Sequence, residues 1–155
     1  MITLRATFHD RSTSFRVDDL ACVIPVGVAT LADSITGDPP LPEDLTNAIG
    51  LVHDHLEDAS REIPMFEFAE RVELGGQGVP VIAAIEFGGV IGLPFQLTRD
   101  AAEDVFRTLV TEQRAARRQN PGLPDTMVHE VLGVASAVVA LMRFLRLEAV
   151  WLVAE

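Results

Sequence analysis

Several groups of side chains in this chain are of types from which chemistry is built. His9-Asp10 has the make-up of a general acid/base pair. It sits between two strand-like stretches, so a hairpin turn is the plainer reading. His53-Asp54-His55 offers two imidazoles and a carboxylate, ligand types that suit a transition metal. On a helix, however, residues i and i+2 point about 200° apart, so both imidazoles cannot serve one ion. A solvated surface is expected there. His129-Glu130 opens like a zinc helix, but the position four on is Gly133 and the HExxH spacing fails. Gly75-Gly76-Gln77-Gly78 precedes an apolar stretch. There a glycine turn can bring backbone N–H groups at a helix start to an anion, or simply join strand to helix. No G-x-S-x-G, CxxC or Walker pattern occurs. The adjacent carboxylates Asp18-Asp19, Glu43-Asp44 and Glu57-Asp58 read as turns or solvated faces. Cys22, the only cysteine, lies in an apolar run and reads as a core residue; no internal disulfide can form. Trp151 reads as core or interface.

The elements that must hold these groups follow from periodicity. Ile2, Leu4, Ala6 and Phe8 alternate with Thr3, Arg5, Thr7 and His9, the pattern of a half-buried strand. Residues 12–17 and 20–29 read as two further strands, joined by polar turns into an antiparallel meander. Pro42 suits a first helical position, with Glu43 and Asp44 where the helix dipole favours negative charge. Leu45, Ile49, Val52, Leu56 and Ala59 then recur at helical spacing until Pro64. Residues 66–74 read as a fourth strand, 79–87 as a short helix and 88–97 as irregular. Thr98 is the expected N-cap of a helix that ends in Arg114, Arg117 and Arg118, read as a solvated basic turn. Asp125 or Thr126 opens a last helix that is apolar on more than half its circumference, and 147–153 is the closing strand. The order βββαβ(α)ααβ describes an α/β fold, a mixed sheet with packed helices, in a single domain over 1–155.

Composition excludes several classes. Hydrophobic residues make up 48% of the 155, and mean hydropathy is +0.27. That points to deeply buried helices or a subunit interface. Twelve basic against 23 acidic side chains give a net charge of −11. Nucleic acid and anionic membrane are repelled at long range, so neither is expected as a partner. The longest apolar run, 131–142, is too short for a span of about 20 residues. No basic-then-apolar leader precedes the first strand. A cytoplasmic protein is the expectation.

Three stretches, in order, resemble one family: VIPVGVATL…GDPPLPEDL (23–45), LGGQGVPVIAAIEFG (74–88) and NPGLPDTMVHEVLGVASAVVALMRFLRLEAVWL (120–152). Together they are similar to the exopolyphosphatase/guanosine-pentaphosphate phosphohydrolase (Ppx/GppA) family of the actin-like superfamily. The likeness implies an RNase H-like fold. It covers only the second of the two halves that make up that family's catalytic domain. The first half, with its phosphate loop and catalytic glutamate, has no counterpart here.

The second half's own phosphate loop resembles DIGGGSTE in the family, and the aligned stretch here is residues 7–14, TFHDRSTS. Ser12 and Thr13 are kept, while His9-Asp10-Arg11 replaces the glycine run and Ser14 the terminal glutamate. Glycines let backbone N–H groups curl around phosphate, and Asp10 adds a repelling charge. The resemblance thus implies a degenerate phosphate site. Its remaining ligand-binding residues would be Ser12 and Thr13 with Gly75, Gly76 and Gly78 of the second glycine turn. No catalytic residue, metal ligand or cofactor is expected; an active relative would bring Mg²⁺ with its phosphate ligand. The expected function is a non-catalytic interaction or phosphate/nucleotide-binding module. The alternative is a component active only with a separately encoded first half. A homodimer or another polypeptide is expected to cover the face left by the missing half.

Overall fold

The computed structural model describes residues 1–155. Strand β1 (Thr3–Phe8) buries Leu4, Ala6 and Phe8 and turns Thr3, Arg5 and Thr7 the other way. This is the alternation its sequence dictates. β2 (Thr13–Val17) and β3 (Leu20–Ile24) follow as an antiparallel meander, with Arg5 opposite Arg16 and Arg16 opposite Ala21. β4 (Arg71–Gly76) runs parallel to β1, and β6 (Ala149–Leu152) runs parallel to β4. β5 (Phe95–Thr98) closes the far edge antiparallel to β6. The six strands stand in the order β3-β2-β1-β4-β6-β5.

One face of this sheet carries the core, a continuous cluster of 40 buried residues. Helix α2 (Pro42–Glu62) starts with Pro42 at its first turn, Glu43 and Asp44 beside it, and buries Ala48, Val52, Leu56 and Ala59. Helix α3 (Val79–Phe87) follows the glycine turn. In α4 (Arg99–Thr111) the Thr98 hydroxyl accepts from the Ala101 N–H at 3.2 Å, the cap that the sequence predicts. Helix α6 (Glu130–Phe144) is buried at every position from Val131 to Met142. It packs against α1 (Val28–Ser34), α2, α3 and α4. The other face of the sheet has no helix on it, and its central side chains are half-buried.

The structure departs from the sequence reading in several places. The apolar run 20–29 is a strand only to Ile24; from Val28 the chain forms α1. Its β-branched residues favour a strand locally. The helix is held by packing, because Gly133 lets α6 approach so closely that an added Cβ would run into the Val28 carbonyl oxygen. Phe66–Phe68 is a 3-10 turn, and β4 starts only at Arg71. Residues 95–97, read as irregular, form strand β5 with Thr98 and pair with β6. The last helix is preceded by a 3-10 turn at Asp125–Met127 and starts at Glu130. The expected solvated basic turn is corrected at Arg117, which lies in the short helix α5 (Arg114–Arg117) and is only 3% exposed. Its guanidinium donates to the Val128 carbonyl at 3.1 Å, and burial pushes its pKa down.

Candidate functional site at the strand ends

In an open α/β sheet, ligands meet the carboxyl ends of the parallel strands. Here that edge holds the β1–β2 turn, the glycine turn after β4 and the starts of α1, α3 and α6. Phe8 and Thr13 form the last β1–β2 pair, and the His9 N–H donates to the Ser12 carbonyl at 2.9 Å to close the turn. The turn carbonyls then face the start of α1. The Val28 N–H donates to the His9 carbonyl at 3.0 Å. The Ala29 and Thr30 N–H groups donate to the Asp10 carbonyl at 2.9 and 3.2 Å. These are the orphan donors that an anion at a helix start would use. Gly27 lies directly under the turn: an added Cβ would stand 2.5 Å from the Asp10 carbonyl carbon. The turn is therefore packed shut against the helix.

Each residue named from the sequence has a definite place. Thr13 is 3% exposed, and its hydroxyl donates to the Val26 carbonyl at 2.7 Å. Ser12 is half-buried in the turn. Gly76 sits beside Phe8 with φ +110°, a backbone region closed to ordinary side chains, and the following Gln77 N–H donates to the Phe8 carbonyl at 3.2 Å. Gly78 caps α3 with φ +80°, where a Cβ would meet Met127 Cε at 2.5 Å. Gly75 points to the opposite, helix-free face, beneath Arg5, whose Nη2 would lie 3.2 Å from an added Cβ. The edge thus brings Ser12, Thr13 and Gly76 together through β1 pairing. Gly75 faces away from them, and Thr13, Gly76 and Gly78 are committed to packing and backbone geometry.

A charged cluster that the sequence reading missed lies at the same edge. Arg11 Nη2 reaches Asp33 Oδ2 at 3.0 Å, and His129 Nε2 stands 3.5 Å from Asp33 Oδ1. Glu130 joins them at the start of α6. Partial burial first, then a hydrogen bond with Asp10 and the charges of Asp10 and Asp33, push its carboxyl pKa up; His129 offsets part of this. The signal was hidden because Asp33 reaches this edge only through α1. No three of the chain's His, Cys, Asp and Glu side chains are placed to hold a metal ion together. His53 is half-buried and packs edge-on against Phe144, with ring centroids 5.7 Å apart.

No protein-family model matches the chain, and no curated protein matches it in sequence. Solved structures do match in fold. The Ppx/GppA phosphatase of Aquifex aeolicus, type II variant, superposes with a TM-score of 0.83 at 13% identity, over 99% of this chain and 53% of that one. An exopolyphosphatase-like protein gives 0.87 at 16% identity, over 98% and 55%. An exopolyphosphatase from Cytophaga hutchinsonii gives 0.74 at 14% identity, over 99% and 53%. The chain therefore has the RNase H-like α/β fold in the form seen in Ppx/GppA proteins. It spans about half the length of the structures it matches.

Proposed function

We propose that this chain is a Ppx/GppA-like half-domain that acts by binding, as an interaction module, and does not itself turn over phosphate. One observation carries the reading. The N–H groups at the start of α1 are taken by the His9 and Asp10 carbonyls, at the place where a phosphate cradle needs free donors. The carboxylates of Asp10, Asp33 and Glu130 around it add charge of the wrong sign for a polyanion. No cofactor enters this function.

Phosphate release from polyphosphate and from guanosine pentaphosphate tests the proposal. The chain alone is expected to give none above background. Turnover that disappears in Ser12→Ala would overturn it. Inorganic phosphate and nucleotides should likewise leave Tm unchanged, whereas a ligand at 100 times its Kd adds about 2.7 kcal/mol of stability.

The coverage of about half of each matching structure favours a second reading. A separate polypeptide carrying the other half would complete a phosphohydrolase, with Mg²⁺ arriving on the phosphate ligand. Activity that appears only on mixing the two would establish it.

A further inference from the structure

The helix-free face of the sheet carries its charges in an order that is complementary to itself. Pairing aligns Ala21, Arg16, Arg5, Glu73, Trp151 and Gln96 in one row across all six strands. Arg16 and Arg5 lie on one side of the boundary between β1 and β4. Glu73 and the Trp151 indole lie on the other. Glu73 is shared by Arg5 at 3.7 Å and Arg71 at 3.0 Å, and Arg16 is left without a carboxylate. Arg71 lays its guanidinium over the Trp151 ring at 4.6 Å. Two hollows flank the row. One of about 400 Å³ takes in Trp151 and Arg71, with Glu70, Arg146 and Glu148 on its walls. Another of about 220 Å³ lies over Arg5, Arg16 and Val23.

We propose that this face is the contact surface of a homodimer. Its two-fold axis lies in the interface, along the β1–β4 boundary and parallel to the strands. The proposal rests on the interaction-module reading and names the partner as a second copy of this chain. Rotation about that axis lays β1 on β4 of the other copy, β2 on β6 and β3 on β5. Arg5 then faces Glu73 of the other copy, and Arg16 faces its Trp151, each contact being made twice. An arginine is favoured over an indole, and Arg16 has no other partner. Val23, 64% exposed, stands four strands from Trp151 within one copy. The rotation brings it to the strand position next to Trp151 of the other. The Arg5–Glu73 pair lies beside the axis, where the angle of about 30° between packed sheets displaces it least.

Charge selects the second copy and the axis. The charged side chains of the row and its hollows are Arg5, Arg16, Arg71 and Arg146 against Glu70, Glu73 and Glu148. Taking these from the chain's 12 basic and 23 acidic side chains leaves 8 and 20 elsewhere. Two copies at −11 each repel one another through the rest of their surfaces, so a nearly balanced face is where they can meet. A strongly charged partner of either sign gains little from such a face. An axis across the strands would set each strand on itself and arginine against arginine. β1, β4 and β6 are mutually parallel, and parallel strands are normally covered on both faces. Strands about 4.8 Å apart with a rise of about 3.3 Å per residue give on the order of 1,000 Å² for the two copies together. That is near the lower limit for a specific interface, so a micromolar dimer is expected.

Trp151 is the only tryptophan, so its emission reads this surface directly. Sedimentation from about 1 to about 100 μM should show monomer passing to dimer. Over the same range Trp151 emission should shift to the red on dilution, as the indole meets water. Arg5→Glu and Glu73→Arg should each weaken the dimer about tenfold or more, because each sets like charges face to face. Mixed in equal amounts, the two variants should form a heterodimer of wild-type affinity, since both facing pairs are then opposite in charge. Side chains that served only their own sheet would give no such rescue. Arg16→Glu, at an exposed position, tests the interface independently of the packing around Arg5. It should weaken the dimer by a similar factor and keep the far-UV circular dichroism of the native fold. A chain that stays monomeric over the whole range would overturn the proposal. So would a dimer that leaves Trp151 emission unchanged, a mixture that associates no better than its components, or an Arg16→Glu dimer of wild-type affinity. A monomer without phosphate release leaves the interaction-module reading standing, with a different partner. Phosphate release by the chain alone sinks that reading, whatever the mass.

Discussion

Thr13 shows how a residue that matches a ligand motif can be used for something else. Its hydroxyl is buried and donates to Val26 across the meander, which ties β2 to the segment entering α1. Thr13→Val keeps the shape and leaves the Val26 carbonyl without its partner. A loss of about 1–2 kcal/mol in denaturant unfolding is expected. Glu130 makes a pH-dependent prediction. Its folded pKa is raised, so the native state favours the protonated acid. Its contribution is therefore fully present below the unfolded value of about 4.3 and is lost as pH rises through the higher folded value. Glu130→Gln removes the charge and keeps a donor for Asp10. The variant should exceed the wild type at pH 7 by about 0.5 kcal/mol, the scale of a surface like-charge contact, and the two should converge below pH 4. Thermal melts at the two pH values check this; a gain that persists at acid pH would refute it.

At the scale of elements, α6 was the most legible feature and α1 the least. The apolar circumference of 131–142 announces a helix that must be covered, and four helices cover it. The alternation in β1 and the cap at Thr98 were equally plain. Nothing local separates α1 from the strand before it, because Val23, Ile24, Val26 and Val28 run on in strand-like types, and the helix is seated by a backbone approach at Gly133, far along the chain. In the sequence Gly133 stands out only as the residue that spoils a zinc motif. Gly133→Ala should force α1 and α6 apart and cost about 3 kcal/mol, at the upper end for overpacking. Because α1 carries Asp33 and receives the His9 and Asp10 carbonyls, the same gap explains why the character of the strand-end site was legible only in part. The replaced glycines pointed to a lost cradle; the plug that fills it came from a helix the sequence did not announce. Arg117 was misread for a related reason. Its partner, the Val128 carbonyl, is brought close by the turn at 120–122.

For the whole molecule, one core cluster reaches from β3 to β5 without a break. Unfolding in urea should then be a single transition, with Trp151 emission and far-UV circular dichroism coinciding. Two separated midpoints would divide the chain into independent units. The asymmetry between the two faces of the sheet is the other property of this scale. Every long helix lies on one side, and the bare side carries Arg5, Arg16, Arg71 and the one tryptophan.

The strand order has a further effect, on how the chain assembles. β6 follows β5 in sequence yet sits between β4 and β5. Until residues 149–152 arrive, β5 has no neighbour and β4 exposes one side of its backbone. β1 likewise waits for β4, which comes more than sixty residues later, to complete its parallel pairing. Contacts so distant along the chain make for slow folding and leave open strand edges on the way. During that interval the nascent sheet is exposed to mispairing with other chains, and a holdase chaperone that shields β4 would be of most use then.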